Sequence, residues 1–199
     1  MTEDRIAKLS SDRGRLAPRA IAHVVRRTAR YRELLHWYET VLGAHVVHAD
    51  ERLAFLTYDE EHHRIAIANL PGLPEQPPLA AGTDHVAFAH RDLGDLLQTY
   101  ARLRDEGITP YWCINHGPST SMYYKDPDGS RIEFQVDNYP TVEETNRWIR
   151  SGDFAKNPIG IVFDPEDLLA RYRAGEPMEQ LVAQRPLPEG ATPFDMLRF

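Results

Sequence analysis

Cysteine is nearly absent. Cys113 is the only one in 199 residues, which leaves no internal disulfide and no thiolate metal cage. No apolar run approaches the 18 or more residues that a membrane helix requires. The opening MTEDRIAKLSSDRGR has no apolar stretch of the kind a secretory signal carries. These features predict a reducing, cytoplasmic setting and no membrane partner. Positive charge is also scarce: 23 Lys and Arg stand against 30 Asp and Glu, for a net charge of −7. Such a chain lacks the basic footprint of a general nucleic-acid binder. With 42% hydrophobic and 27% charged residues, the composition is that of a globular chain able to bury a sizeable core, and not of a disordered one. Histidine is in mild excess, with nine in the chain, and two of the nine occupy matching places in a repeated pattern.

Residues 1–19 are polar and without periodicity, which predicts an N-terminal arm. Ile21 to Thr28 reads as a strand, and Arg30 to Leu42 as a helix. In that helix Leu34, Leu35, Trp37, Tyr38, Val41 and Leu42 fall on one face, and Gly43 stands at its C-cap. Three short strands come next, at Ala44 to His48, Leu53 to Tyr58 and His63 to Leu70. PGLPEQPPLAAG at 71–82 has four prolines and predicts a linker. The pattern then restarts. Thr83 to His90 is a strand, Asp92 an N-cap, and Leu93, Leu96, Leu97, Tyr100 and Leu103 a helical stripe closed by Gly107. Strands at Pro110 to Asn115, Ser121 to Lys125 and Ser130 to Val136 complete it, the last two joined by the turn signal Asp126-Pro127-Asp128-Gly129. The order strand, helix, strand, strand, strand thus occurs twice. The expected fold is α+β: two βαβββ modules, 20–70 and 83–138, with a helical tail over 139–199. In the tail, Thr141 and Glu144 form a capping-box pattern and Asp164-Pro165 opens a second helix. A third is expected over Pro177 to Gln184, and no chemical motif is visible there.

His23 is the third residue of IAHVV and His85 the third of TDHVA, so both occupy the first strand of their module. Glu133 lies between Ile132 and Phe134 in the last strand of module two. Singly, each has an ordinary explanation: a hydrogen-bonded strand histidine, or a glutamate facing solvent. As a set, a buried carboxylate calls for a partner or a metal. Paired modules would bring the two histidines to one cavity, where two histidines and one carboxylate form the facial triad of non-haem iron(II) oxygenases.

HVV at 23–25, LHWYETVLGAHVV at 35–47, DHVAF at 84–88 and YYKDPDGSRIEF at 123–134 resemble the vicinal oxygen chelate superfamily, which includes glyoxalases, bleomycin resistance proteins and type I extradiol dioxygenases. The resemblance spans about residues 20–138. It implies paired βαβββ modules around one metal cavity, with His23, His85 and Glu133 as ligands. EHHRIAIA at 61–68 resembles the strand of the extradiol enzymes whose second histidine handles dioxygen, which maps to His63. Asn115-His116-Gly117 resembles their catechol-contacting loop, and the tyrosine of their Tyr-x-x-x-Pro-x-Gly-x-x-x-Glu spacing maps to Tyr123. Successive strand residues face opposite sides, so the loop at 126–129 decides between the two tyrosines: an even loop brings Tyr124 to the face of Glu133, an odd one Tyr123.

The resemblance therefore implies a non-haem iron(II) extradiol dioxygenase, with manganese(II) as the alternative metal. Its partners would be O2 and a small aromatic diol such as catechol or 2,3-dihydroxybiphenyl, within a homodimer. Two other readings stay open. A glyoxalase-like lyase or isomerase needs a fourth ligand from module one, where Ile67 holds the expected place and Asn69 is the only polar candidate. A non-catalytic small-molecule binder needs no ligand set at all. His36, His45, His48 and His90 are read as surface or packing residues, Cys113 as core, and Trp112 as either core or pocket wall.

Overall fold

A computed structural model describes residues 18–75, 77 and 81–198. The N-terminal arm falls, over 1–17, outside the described residues, as do 76 and 78–80 of the linker. The chain divides into two compact units, 1–74 and 75–199.

The first unit is built on local periodicity. Leu34, Tyr38 and Val41 recur four and three residues apart, and they are the buried side of helix α1 (Tyr31–Leu42). Removing each of these side chains from water contributes about 1.5–3 kcal/mol. Strands β1 (Val24–Thr28), β2 (His45–Ala49), β3 (Leu53–Thr57) and β4 (Ile65–Asn69) form a sheet in the order β1-β4-β3-β2. β1 runs parallel to β4, and the other pairs are antiparallel.

The second unit repeats the topology. β5 (His85–Ala89), α2 (Leu93–Asp105), β6 (Trp112–Asn115), β7 (Ser119–Lys125) and β8 (Arg131–Asp137) give the order β5-β8-β7-β6, again with the first and last strands parallel. The predicted stripe of α2, Leu93 to Leu103, is buried throughout. Asp92 caps the helix by accepting from the Asp95 amide at 2.9 Å. The α+β class and the doubled βαβββ order are as the sequence predicts.

Two placements differ from expectation. His23 lies one residue ahead of β1 and not within it. The ladder opens at Val24, whose amide donates to the Arg64 carbonyl at 2.9 Å. The Ile21 and Ala22 carbonyls are taken instead by the Arg64 guanidinium, at 3.0 and 3.1 Å. The tail is not a purely helical appendage either. Helices α3 (Val142–Arg150), α4 (Asp153–Lys156), α5 (Pro165–Arg173) and α6 (Met178–Leu181) are joined by a two-residue strand, β9 (Ile161–Val162), and a closing 3-10 turn (Pro193–Met196). β9 pairs antiparallel with β6 and makes the second sheet five-stranded. Ile161 and Val162 are too few to show an alternating pattern, so the strand leaves no trace in the sequence. Among the described residues no helix is long and apolar enough to cross a membrane.

Candidate active site

In the second unit the chemistry gathers on one face of β7 and β8. Tyr123 stands directly opposite Glu133, and opposed residues of an antiparallel pair project to the same side. The turn sets this register. Lys125 pairs with Arg131, leaving the five residues 126–130 between them. Asp126 closes this turn through its backbone with Ser130, and its carboxylate accepts from the Asp128 and Ser130 amides at 3.0 and 2.9 Å. The odd turn length puts Tyr123 beside Glu133 and sends Tyr124 to the opposite side, where it packs against Phe134 with ring centroids 5.6 Å apart.

Glu133 is only 6% exposed. Burial would raise its carboxyl, but His85 first, with the neighbouring Ser121 and Tyr123 hydroxyls adding to the effect, outweighs this and holds it below the ordinary carboxylate range. Ser121 Oγ is buried on the same face and makes no hydrogen bond of regular geometry with any described residue. His85 Nε2 lies 3.0 Å from Glu133 Oε2, and His85 Nδ1 lies 2.7 Å from Asp84 Oδ2. The imidazole is pushed above its usual range by Glu133 first, against desolvation, with Asp84 adding to the shift. Asp84 is anchored in turn by the Arg131 guanidinium.

This donor set fits a divalent cation in three respects. Two ligands each about 2.1 Å from an ion and at right angles stand ~3 Å apart, which is the separation of His85 Nε2 and Glu133 Oε2. A carboxylate on the far nitrogen of a ligating histidine is the common outer partner of metal sites. A buried carboxylate with a spare hydroxyl beside it also suits a coordinated oxygen. Within either unit, among the described residues, no three or more His, Cys, Asp or Glu side chains gather as a complete metal-holding group. Asp84→Asn should therefore weaken binding of Mn(II), measured calorimetrically, by about 10–100-fold, while leaving the thermal transition of the metal-free protein nearly unchanged because Asp84 is exposed.

Beside this pair, the Tyr123 hydroxyl meets His116 Nε2 at 3.1 Å, and His116 Nδ1 meets the Ile159 carbonyl. Burial holds His116 below the ordinary imidazole range, with the Ile159 carbonyl opposing the shift. The Tyr123 phenol is pushed far up, by burial first and then by the Glu133 charge. Its ring stacks on Trp112 at 4.6 Å and stands edge-on to His85 at 5.3 Å. Trp112 Nε1 donates to the Met196 carbonyl at 2.9 Å, and its part-buried ring packs against the small core cluster of Ile114, Tyr123 and Met196. A cleft of about 790 Å³ opens on the tail side of the His116 loop, lined by Gly117, Trp148 and Asn157 among others; it lies away from Glu133.

In the first unit His63 sits between Phe55 and His23, with ring centroids 4.5 and 4.4 Å away. Its Nδ1 is 2.6 Å from His62 Nδ1. Loss of hydration lowers the basicity of His63, and neighbouring His23 and His62 lower it further. His36, His45 and His48 are exposed, and His90 packs edge-on against Phe134 at 5.1 Å. Cys113 is buried, with its thiol pushed up to about 12. In the matching registers of the two sheets, Val24 opposes Ile65 and Val86 opposes Ile132. The position equivalent to Glu133 is therefore Ala66, one residue from the Ile67 that the sequence suggested, and it carries no donor.

The sequence pattern of the Glyoxalase/Bleomycin resistance protein/Dioxygenase superfamily matches residues 20–134. The chain belongs to this superfamily. Among superfamily relatives, Biphenyl-2,3-diol 1,2-dioxygenase 3 of Rhodococcus globerulus is 43% identical over 82% of this chain and 87% of its own length. Biphenyl-2,3-diol 1,2-dioxygenase 2 of the same organism is 43% identical over 80% and 85%. A solved lactoylglutathione lyase from Agrobacterium tumefaciens shares the superfamily fold, with a TM-score of 0.50 and 18% identity over 61% of this chain and 96% of that one.

Asp84, Arg131, Ser121 and Ile159 were not singled out by sequence reasoning. Asp84 carries a legible signal, a carboxylate adjoining a candidate ligand. Ile159 acts through its backbone, which no residue type announces.

Proposed function

We propose that this chain is an extradiol ring-cleaving dioxygenase acting on catechol-type diols, with biphenyl-2,3-diol the first substrate to try. The observation that carries the reading is the shared face of His85, Glu133, Tyr123 and His116, in a chain 43% identical to two biphenyl-2,3-diol 1,2-dioxygenases. Cleavage at the 1,2 bond of a 2,3-diol opens the ring beside the hydroxyls and not between them.

His85 and Glu133 would hold a divalent ion, iron(II) or manganese(II), with His23 the third ligand by the sequence repeat. When bound, such an ion supplies a template for the diol and dioxygen and a path for an electron between them. The remaining steps belong to side chains. Tyr123 donates to His116 Nε2 and turns its oxygen lone pairs toward a diol hydroxyl. A proton leaving that hydroxyl can pass to the phenol oxygen as the phenol proton passes to Nε2. The strongly raised phenol pKa keeps Tyr123 protonated at rest, as a relay requires. His63 is assigned the acid–base step that accompanies ring opening, taking up the proton of the second diol hydroxyl and then returning it. Absence of a donor at Ala66 weighs against a four-ligand lyase site.

The test is oxygen uptake by the anaerobically iron(II)-loaded full-length protein given catechol and then 2,3-dihydroxybiphenyl. The expected result is one O2 consumed per diol, with a yellow ring-opened product. Tight metal binding with no uptake on either diol would overturn the reading in favour of a binder.

A further inference from the structure

We infer that the tail segment Asn157–Gly160 is a positioning element that fixes the tautomer of His116, leaving Nε2 as the proton acceptor toward Tyr123. Its catalytic consequence rests on the proposed dioxygenase reading, whereas the tautomer itself does not.

A carbonyl oxygen only accepts. The contact between His116 Nδ1 and the Ile159 carbonyl therefore puts the ring hydrogen on Nδ1, and a neutral imidazole then has a bare Nε2. Tyr123 must be the donor in the 3.1 Å contact at that nitrogen. The opposite tautomer would reverse this bond: Nε2 would donate to the phenol oxygen and occupy the lone pair offered to substrate.

The Ile159 carbonyl is aimed by its neighbours. Asn157, 8% exposed, accepts on Oδ1 from the Ile159 and Gly160 amides at 3.3 and 2.9 Å, and its Nδ2 donates to the Gly160 carbonyl at 3.0 Å. Gly160 has φ +121°, and a Cβ there would lie 2.5 Å from the Asn115 carbonyl oxygen and 2.9 Å from His116 Cα. Both the conformation and the space demand glycine. β9 then locks the register by pairing Ile161 with Asn115. Independent tail contacts hold the same loop: Gln184 Nε2 donates to the Asn115 carbonyl at 3.2 Å, Asn115 Nδ2 to the Val182 carbonyl at 2.8 Å, and Trp148 lies against Gly117.

The experiment compares Gly160→Ala, Asn157→Ala and Gly190→Ala in the full-length protein. Two-bond nitrogen–proton NMR correlations of the metal-free chain report which nitrogen of His116 is protonated. Wild type should show Nδ1–H. Gly160→Ala and Asn157→Ala should shift the ring toward Nε2–H. On the loaded enzyme they should lower kcat at least about tenfold with little change in KM, because a base in the wrong tautomer cannot accept. Gly190→Ala strains a positive φ of 76° with open space around it and should leave the spectrum unchanged. A folded Gly160→Ala that keeps the wild-type Nδ1–H signal overturns the inference. If that variant does not fold, Asn157→Ala decides on the same signal. A shifted tautomer in a protein that cleaves no diol would support the tautomer assignment and sink the dioxygenase reading alone.

Discussion

Glu133→Gln, in the full-length protein, should weaken Mn(II) binding by more than about 100-fold and bring ring cleavage to background. Removing an outer partner of a ligating histidine costs about 10–100-fold, and a direct ligand costs more. Glutamine keeps the shape of the side chain and removes its charge. What remains is a buried amide facing His85 Nε2 where a carboxylate stood 3.0 Å away. Calorimetric titration reads the affinity and an oxygen electrode the turnover; wild-type affinity in the variant would remove Glu133 from the ligand set. The pair also sets a pH dependence. Glu133 raises the His85 pKa above the ordinary 6.5, and a protonated imidazole cannot ligate. Metal should therefore be lost on acidification at higher pH than a free imidazole would allow. The stability of the metal-free chain has two limits. The His85 contribution is fully present below 6.5 and fades as pH rises through the raised value. The Glu133 contribution is present above 4.5 and fades as pH falls through the lowered one. The wild type should gain most from the pair between those limits, and Glu133→Gln should lose that gain.

The second large effect separates adjacent tyrosines. Tyr123→Phe removes the hydroxyl that links a substrate oxygen to His116 Nε2, and should lower kcat by about 10²–10⁴, the usual worth of a positioned acid–base group. Tyr124→Phe should leave kcat unchanged. Its hydroxyl is buried with no hydrogen-bond partner among the described residues. Deleting such a group avoids a desolvation cost of about 1–3 kcal/mol, so the Tm of this variant should hold or rise. Equal losses of kcat in the two variants would refute the assignment of faces.

The helices were legible because their signals are local: the stripe from Leu93 to Leu103, the Asp92 cap and the Asp164-Pro165 start each act within a few residues. The doubled strand order was legible for the same reason, whereas the grouping of His85 with Glu133, which are distant in the chain, was legible through the family resemblance. What escaped depends on distant or backbone groups. Ahead of β1, the Ile21 and Ala22 carbonyls beside His23 are taken by the side chain of Arg64, some forty positions along the chain. The choice between Tyr123 and Tyr124 turned on whether Ser130 belongs to the turn or to β8. Asp126 settles that by closing the turn at Ser130, and the motif Asp-Pro-Asp-Gly alone does not reveal it. The tail shows no chemical motif in its sequence because its contribution to His116 is a main-chain oxygen.

The turn at 126–130 has a bearing on how such a chain can change over time. Every residue of β7 takes its side of the sheet from the parity of that turn. Losing or gaining one residue there would carry Tyr124 to Glu133 and turn Tyr123 and Ser121 away in a single event, with no substitution at any of the three. Two residues added together would leave the sides as they are. Insertions in this hairpin are thus tolerable in even steps only, and the turn behaves as a counting device on which the chemistry of the strand depends.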